Sequence, residues 1–166
     1  MTVADFVRAY GLLASIFAYI SLGILYNNLG NTYSDFKALQ YYLKAKDNHE
    51  KSGKVTRHAA ITFYHLADIY SSSNESTMDL ELALEYAQRV LDFFKNEYAD
   101  DLYMIGEAKY MLGKVYPLFV ESKSNQVAYT LLSEAEEIFI QFLPSEDVTL
   151  IKVRNLKEIV RQKLDC

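Results

Sequence analysis

The chain has 166 residues, of which 51% are apolar and 23% are charged, a balance typical of one globular domain with its own core. Its formal net charge of −5 argues against a general attraction to nucleic acid or to an anionic membrane. The single cysteine, Cys166, is the last residue, so no internal disulfide is expected, and this suits the cytoplasm or the nucleus.

The N-terminal stretch is long and uncharged. Residues 9–26 include no Asp, Glu, Lys or Arg, and this length and apolarity fit a membrane-spanning helix. The same stretch continues without a break into the polar pair at 27–28, which favours a buried helix of the fold instead. A signal peptide fits less well, because Asp5 and Arg8 leave no clearly positive leader region. Residues 3–14 are expected to form an extra apolar helix or to continue into the next one.

The next segments predict one helix pair and the start of a second. Residues 35–51 carry apolar side chains at three- and four-residue steps, which is the spacing of an amphipathic helix. Gly53 is expected to end that helix in a left-handed conformation. Another helix is expected to begin near Val55. The polar loop 71–77 follows, and one of its last two residues is expected to cap the helix after it.

A third pair and a final helix complete the chain. Pro117 is expected to bend or end the helix before it, because proline lacks a backbone N–H and clashes with the preceding turn. The last helix is expected from about Ser145 to Leu164. Its many basic and polar side chains give it the outer face that a capping helix needs at the end of a stack of repeats.

A short box recurs along these helices: a leucine, a small residue directly after it, and a tyrosine four positions after the leucine. It occurs at Leu29-Gly30-Tyr33, Leu66-Ala67-Tyr70 and Leu112-Gly113-Tyr116. The box leucines are 37 and 46 residues apart, and Leu156 follows 44 residues later. Alanines follow each box in the partner helices, at positions Ala38, Ala45, Ala83, Ala128 and Ala135. The three box leucines are expected to be buried, and Ala38, Ala83 and Ala128 are expected at close helix contacts.

This order of leucine, small residue, tyrosine and alanine resembles the tetratricopeptide repeat. The long period is most similar to repeats of the kinesin-light-chain type. The resemblance implies an all-α fold in a single domain 1–166. That fold is a right-handed α-α superhelix of about three helix pairs plus a C-terminal capping helix. The implied boundaries are an N-terminal apolar helix at 3–14, repeats at about 15–52, 54–96 and 100–143, and the capping helix at 145–164.

The resemblance also implies a concave groove, lined by the first helix of each pair, that binds a peptide segment or a helix of a partner protein. The positions two before and two after each box leucine, and the matching pair around Leu156, are expected to face this groove: Asn27, Asn31, Tyr64, Asp68, Tyr110, Lys114, Arg154 and Glu158. Asparagine can donate to and accept from a peptide backbone, and tyrosine adds flat apolar area with a polar tip. The alternative for each position is an ordinary solvated helix face.

Apolar residues cover more than one face of the N-terminal helix. Phe17 and Ile20 are expected to lie opposite its packed side, where something should cover them. A homodimer through this helix, or upstream repeats missing from this chain, is favoured over lipid, because the stretch merges with the repeat box.

The sequence offers no constellation that indicates catalysis. His49, His58 and His65 have no further histidine or nearby cysteine to complete a metal site. We therefore expect no catalytic residue, metal or cofactor, and interpret the chain as a non-enzymatic scaffold that binds protein in the cytoplasm or nucleus. One alternative is a helical regulatory or substrate-binding domain of a larger enzyme, similar to the C-terminal region of SET-and-MYND lysine methyltransferases. Another is a membrane-tethered adaptor anchored by residues 9–26.

Overall fold

The computed structural model describes residues 3–33, 35–72, 77–119 and 122–165. Within these ranges the chain is helical and contains no strand, which confirms the all-α prediction. Residues 73–76 of the expected polar loop lie outside the described ranges. The chain divides into two compact units, the first ending at Leu66 and the second beginning at Ala67.

The first unit contains α1 (Val3–Gly30), α2 (Asp35–Lys51) and most of α3 (Arg57–Tyr70). Helix α1 is continuous, so residues 3–14 extend the next helix and do not form a separate one. Helix α2 has the bounds that its apolar spacing predicts, and the expected left-handed glycine follows it, with φ of 67° at Gly53. Helix α1 packs against α2.

The packed face of α1 differs from the one expected from its leucines. Gly23, Asn27 and Gly30 are buried, whereas Leu29 is only half-buried and Leu25 is 53% exposed. The prediction that Leu29 is buried is therefore wrong. Small and polar residues take the inner positions, because rings from α2 occupy the space that a large side chain of α1 would need.

The second unit contains α4 (Leu80–Glu97), α5 (Leu102–Val115), a short 3-10 helix (Tyr116–Leu118), α6 (Ser122–Phe139) and α7 (Val148–Leu164). Consecutive helices pack together: α4 on α5, α5 on α6, and α6 on α7. Pro117 lies in the 3-10 helix directly after α5, so it ends that helix as expected.

Aspartates are the N-cap residues of three helices of this unit. Asp79 caps α4, and its side chain accepts a hydrogen bond from the backbone N–H of Leu82. The expected cap at residue 76 or 77 is therefore wrong. Asp101 caps α5 in the same way, and Asp147 caps α7, so α7 begins three residues later than its expected start near Ser145. Each cap satisfies backbone donors that the helix itself leaves without a partner.

Small residues allow the close helix contacts of both units. Ala38, Ala83 and Ala128 are buried, as expected, and so are the box leucines Leu66 and Leu112. In the second unit a cluster of fully buried apolar side chains joins α6 to α7: Ala128, Leu132, Ala135, Phe139, Leu150, Val153 and Val160. We call this set the α6–α7 core.

Candidate functional site

Asn27 and Asn31, two of the predicted groove residues, make hydrogen bonds within the first unit. The side chain of Asn27 is 5% exposed, and its Oδ1 accepts from Oγ1 of Thr62 at 3.1 Å. Asn31 is exposed, and its Oδ1 accepts from the hydroxyl of Tyr42 at 2.7 Å. The carbonyl of each amide thus has a partner inside the protein, and Asn27 has little surface left to offer a ligand. Tyr64 is half-buried and meets the ring of His65 edge to face at 5.9 Å.

In the second unit the structure brings three of the predicted residues together. Nζ of Lys114 on α5 lies 2.6 Å from Oδ1 of Asp68 near the end of α3, although the two residues are 46 positions apart in the chain. Both side chains are open to solvent, 33% for Lys114 and 55% for Asp68. Such an exposed pair contributes only about 0–1 kcal/mol to stability. Its main effect is to place an ammonium and a carboxylate side by side on the surface.

Tyr110, the third of these residues, lies one turn before Lys114. It packs against the α6–α7 core with part of its ring exposed. Burial raises the pKa of its phenol, and the negative charges of Glu107 and Asp68 raise that pKa further. The phenol therefore lies among carboxylates and stays protonated, so it can donate a hydrogen bond at neutral pH.

The same face of α5 continues toward its N-terminus with Tyr103. Burial raises the pKa of this phenol first, and the charge of Glu107 and a hydrogen bond to it act in the same direction. Tyr103, Glu107, Tyr110 and Lys114 are spaced four, three and four residues apart, so they follow one side of the helix. We call these four residues, together with Asp68, the α5 stripe. Sequence reasoning missed Tyr103 and Glu107, although their helical spacing from Tyr110 could have indicated them.

The two predicted residues of α7 have partners on α6 and α7. Nε of Arg154 donates to Oε1 of Glu136 at 2.7 Å, and Lys157 binds the other oxygen of the same carboxylate. Burial alone would raise the pKa of Glu136, but hydrogen bonds from Lys157 and Arg154 outweigh it and lower the pKa. Glu158 accepts two hydrogen bonds from Arg161, which hold its pKa at about 2. The contacts of Glu136 join α7 to α6, whereas the contact of Glu158 lies within α7. The α5 stripe is therefore the place where predicted residues meet.

The N-terminal part of α1 presents apolar side chains to solvent. Phe17 is 66% exposed and Ile20 is half-buried. Further large apolar residues along α1 are exposed as well: Tyr10, Leu12, Leu13, Tyr19, Leu22 and Leu25. The hydroxyls of Ser15 and Ser21 donate to backbone carbonyls one turn back, at 3.0 and 2.9 Å. The hydroxyls of Ser15 and Ser21 therefore have their partners within the helix itself.

By length and composition, α1 could also cross a membrane. Its segment Arg8–Gly30 has 23 residues with a mean hydropathy of 1.7, and 6% of its apolar window is buried. A helix of about 20 apolar residues spans the hydrocarbon core of a bilayer.

Among the described residues, no group of three or more His, Cys, Asp and Glu side chains is placed to hold a metal ion. Comparisons with protein-family models, with curated proteins and with solved structures found no match.

Proposed function

We propose that this chain is a protein-interaction module of the tetratricopeptide-repeat type, without catalytic activity, whose α5 stripe binds an extended segment or a helix of a partner protein. The proposed arrangement of the helix pairs is the right-handed superhelix that the repeat resemblance implies. Support comes from the recurring boxes, from the adjacent packing of helices within the second unit, and from the buried alanines at their contacts.

The observation that carries the proposal is the meeting of Asp68, Tyr110 and Lys114. All three were singled out by their position relative to a box leucine, and the fold brings them together from two helices. Together with Glu107 and Tyr103 they offer an ammonium, carboxylates and two phenols along one partly exposed face. These groups can bond the backbone N–H and C=O groups of a peptide and can pair with its charged side chains. We propose the cytoplasm or nucleus as the location.

Removing the ammonium or the carboxylate of the stripe is expected to weaken peptide binding. The full chain would first be screened against a displayed library of random peptides, and the affinity of enriched peptides would then be measured by fluorescence anisotropy. Lys114→Ala and Asp68→Asn are each expected to weaken binding about tenfold, or by about 1.4 kcal/mol, because each leaves a bound polar group without its partner.

The matched control is Lys95→Ala, which removes an exposed lysine from α4 of the same unit. It is expected to change affinity less than twofold, and thermal unfolding would confirm that all three variants are folded. Equal affinities for the control and the two stripe variants would reject the α5 stripe as the binding surface. A library that yields no binder would argue against peptide recognition altogether.

We also propose that the chain forms a homodimer through the exposed apolar side of α1, on the evidence of Phe17 and its neighbours. Light scattering is expected to give the mass of a dimer for the unmodified chain. The double substitution Phe17→Glu with Leu13→Glu is expected to give a monomer, because both side chains are at least half exposed and a buried carboxylate would oppose pairing. Phe17→Glu with Ile20→Glu should act in the same direction.

The control for this experiment is Ile140→Glu with Val148→Glu, which places two charges on exposed apolar positions of the second unit and should leave the dimer intact. A monomeric unmodified chain in plain buffer would contradict the dimer. Flotation of the unmodified chain with neutral lipid vesicles, abolished by Phe17→Glu, would instead support the membrane-tethered alternative that the length and apolarity of α1 favour.

A further inference from the structure

Two rings of α2 pack directly on the backbone of α1. Tyr42 and His49 are seven residues apart on α2, and they lie over Gly30 and Gly23, which are also seven apart on α1. A Cβ atom added at Gly30 would lie 2.6 Å from Cε1 of Tyr42, and one added at Gly23 would lie 2.5 Å from Cε1 of His49. Both distances are shorter than any normal contact, so each ring fills the place of a missing side chain.

The two rings differ in their hydrogen bonds. The hydroxyl of Tyr42 donates to Asn31 at 2.7 Å, and its ring stacks on that of His65 at 4.8 Å. His49 is 2% exposed, and neither Nδ1 nor Nε2 has a hydrogen-bond partner. A buried polar group without a partner is rare, because it loses its hydrogen bonds to water and no hydrogen bond within the protein replaces them. The site therefore tolerates a neutral imidazole and is poorly suited to a charged one.

The groups around His49 would not stabilise a positive charge. Helix α1 faces the ring, and its segment from Ala9 to Gly30 has no Asp, Glu, Lys or Arg, so tyrosines are the only titratable residues of that segment. Helix α3 contributes His58, whose charge opposes a second positive charge nearby. On α2 itself Glu50, the next residue along the chain, and Asp47 form ion pairs with Lys46 at 3.2 and 3.6 Å. Burial and then His58 lower the pKa of His49.

We propose that His49 is a proton-operated latch, which holds α1 on α2 while its ring is neutral and loosens that contact when the ring is protonated. The imidazolium would bring two N–H donors into a site where Gly23 offers no acceptor side chain. Separating the two helices around Gly23 lets water reach those donors with the smallest loss of packing. No other part of the first unit needs to unfold, since local opening of a single helix contact costs less than global unfolding.

The sign of the pH dependence follows from the direction of the shift. Because the pKa of His49 is lowered when the helices are packed, the open state takes up the proton at a higher pH than the packed state does. The packed state therefore has its full stability above the ordinary histidine pKa of about 6.5, and loses stability as the pH falls from there toward the lowered value. Mild acid would then expose the side of α1 around Gly23 that α2 covers.

Hydrogen exchange of the full chain at pH 7.5 and pH 5.5, corrected for the intrinsic effect of pH, tests this latch. In the unmodified chain the amides of residues 19–30 are expected to lose protection several-fold at the lower pH, whereas those of α6 keep theirs. His49→Met and His49→Leu remove the titrating group with an apolar side chain of similar size, and both are expected to keep protection at pH 5.5. Phe36→Leu is the control, because Phe36 lies on the same helix and is 61% exposed, and it should behave as the unmodified chain does.

Equal protection of residues 19–30 at the two pH values in the unmodified chain would overturn the latch. So would the same acid-induced loss in both His49→Met and His49→Leu. Should neither variant fold, the NMR titration of the His49 ring in the unmodified chain decides: a titration below pH 6.5 supports the latch, and one at or above it rejects the latch.

Discussion

Replacing Phe139 with alanine is expected to lower the free energy of unfolding of the second unit by about 3–5 kcal/mol. Phe139 is fully buried in the α6–α7 core, and its ring lies 5.4 Å from that of Tyr103 and directly against Gly106 of α5. Removing its ring is expected to leave a cavity between α5, α6 and α7 that the helices fill only in part. Urea unfolding followed by circular dichroism would measure the change.

Phe142→Ala is the matched control, because it removes the same side chain three residues later from a position that is 52% exposed. The control is expected to cost less than about 1 kcal/mol. If the two substitutions cost the same, the α6–α7 core would not be the main source of stability in this unit.

The second large effect is expected at Gly23. Gly23→Ala should destabilise the first unit by about 1–3 kcal/mol, because the new methyl group would meet the buried ring of His49. Gly11→Ala makes the same change in the same helix with nothing within 4 Å of the new atom. It should be neutral or stabilising by up to about 1 kcal/mol, since alanine favours a helix over glycine. Thermal unfolding of both variants gives the comparison.

A double-mutant cycle sharpens this prediction. In a His49→Ala background the ring is absent, so Gly23→Ala is expected to lose most of its cost. If the cost is unchanged in that background, it arises from the backbone of α1 and not from the ring.

Much of the helical layout could be predicted because it depends on local sequence. The bounds of α2 follow from its apolar spacing and from Gly53, and Pro117 marks the end of α5. Helix starts were less predictable. Several polar residues near the start of α4 and α7 could act as caps, and only the fold shows that Asp79 and Asp147 do so.

The contacts of the candidate sites depend on residues far apart in the chain. The box positions indicated Lys114 and Asp68 separately, but their ion pair requires the short part of the chain that carries Asp68 in the second unit to lie beside α5. Large apolar residues are the usual sign of a packed face, so Leu29 was expected inside and Gly23 was not. On α1 the small residues lie inside because two rings of α2 pack on them. The sequence of α1 alone gives no sign of these rings, so its packed face could not be predicted from that sequence.

The matched spacing of two glycines and two rings also sets the alignment of α1 along α2. One helical turn is about 5.4 Å, so a slip of one turn would bring Tyr42 and His49 against the larger side chains near Tyr26 and Tyr19. A slip of two turns would seat Tyr42 on Gly23 but would press His49 onto Ile16. Both rings lie on glycines at a single offset only, so the matched spacing of these four residues favours one alignment of α1 along α2.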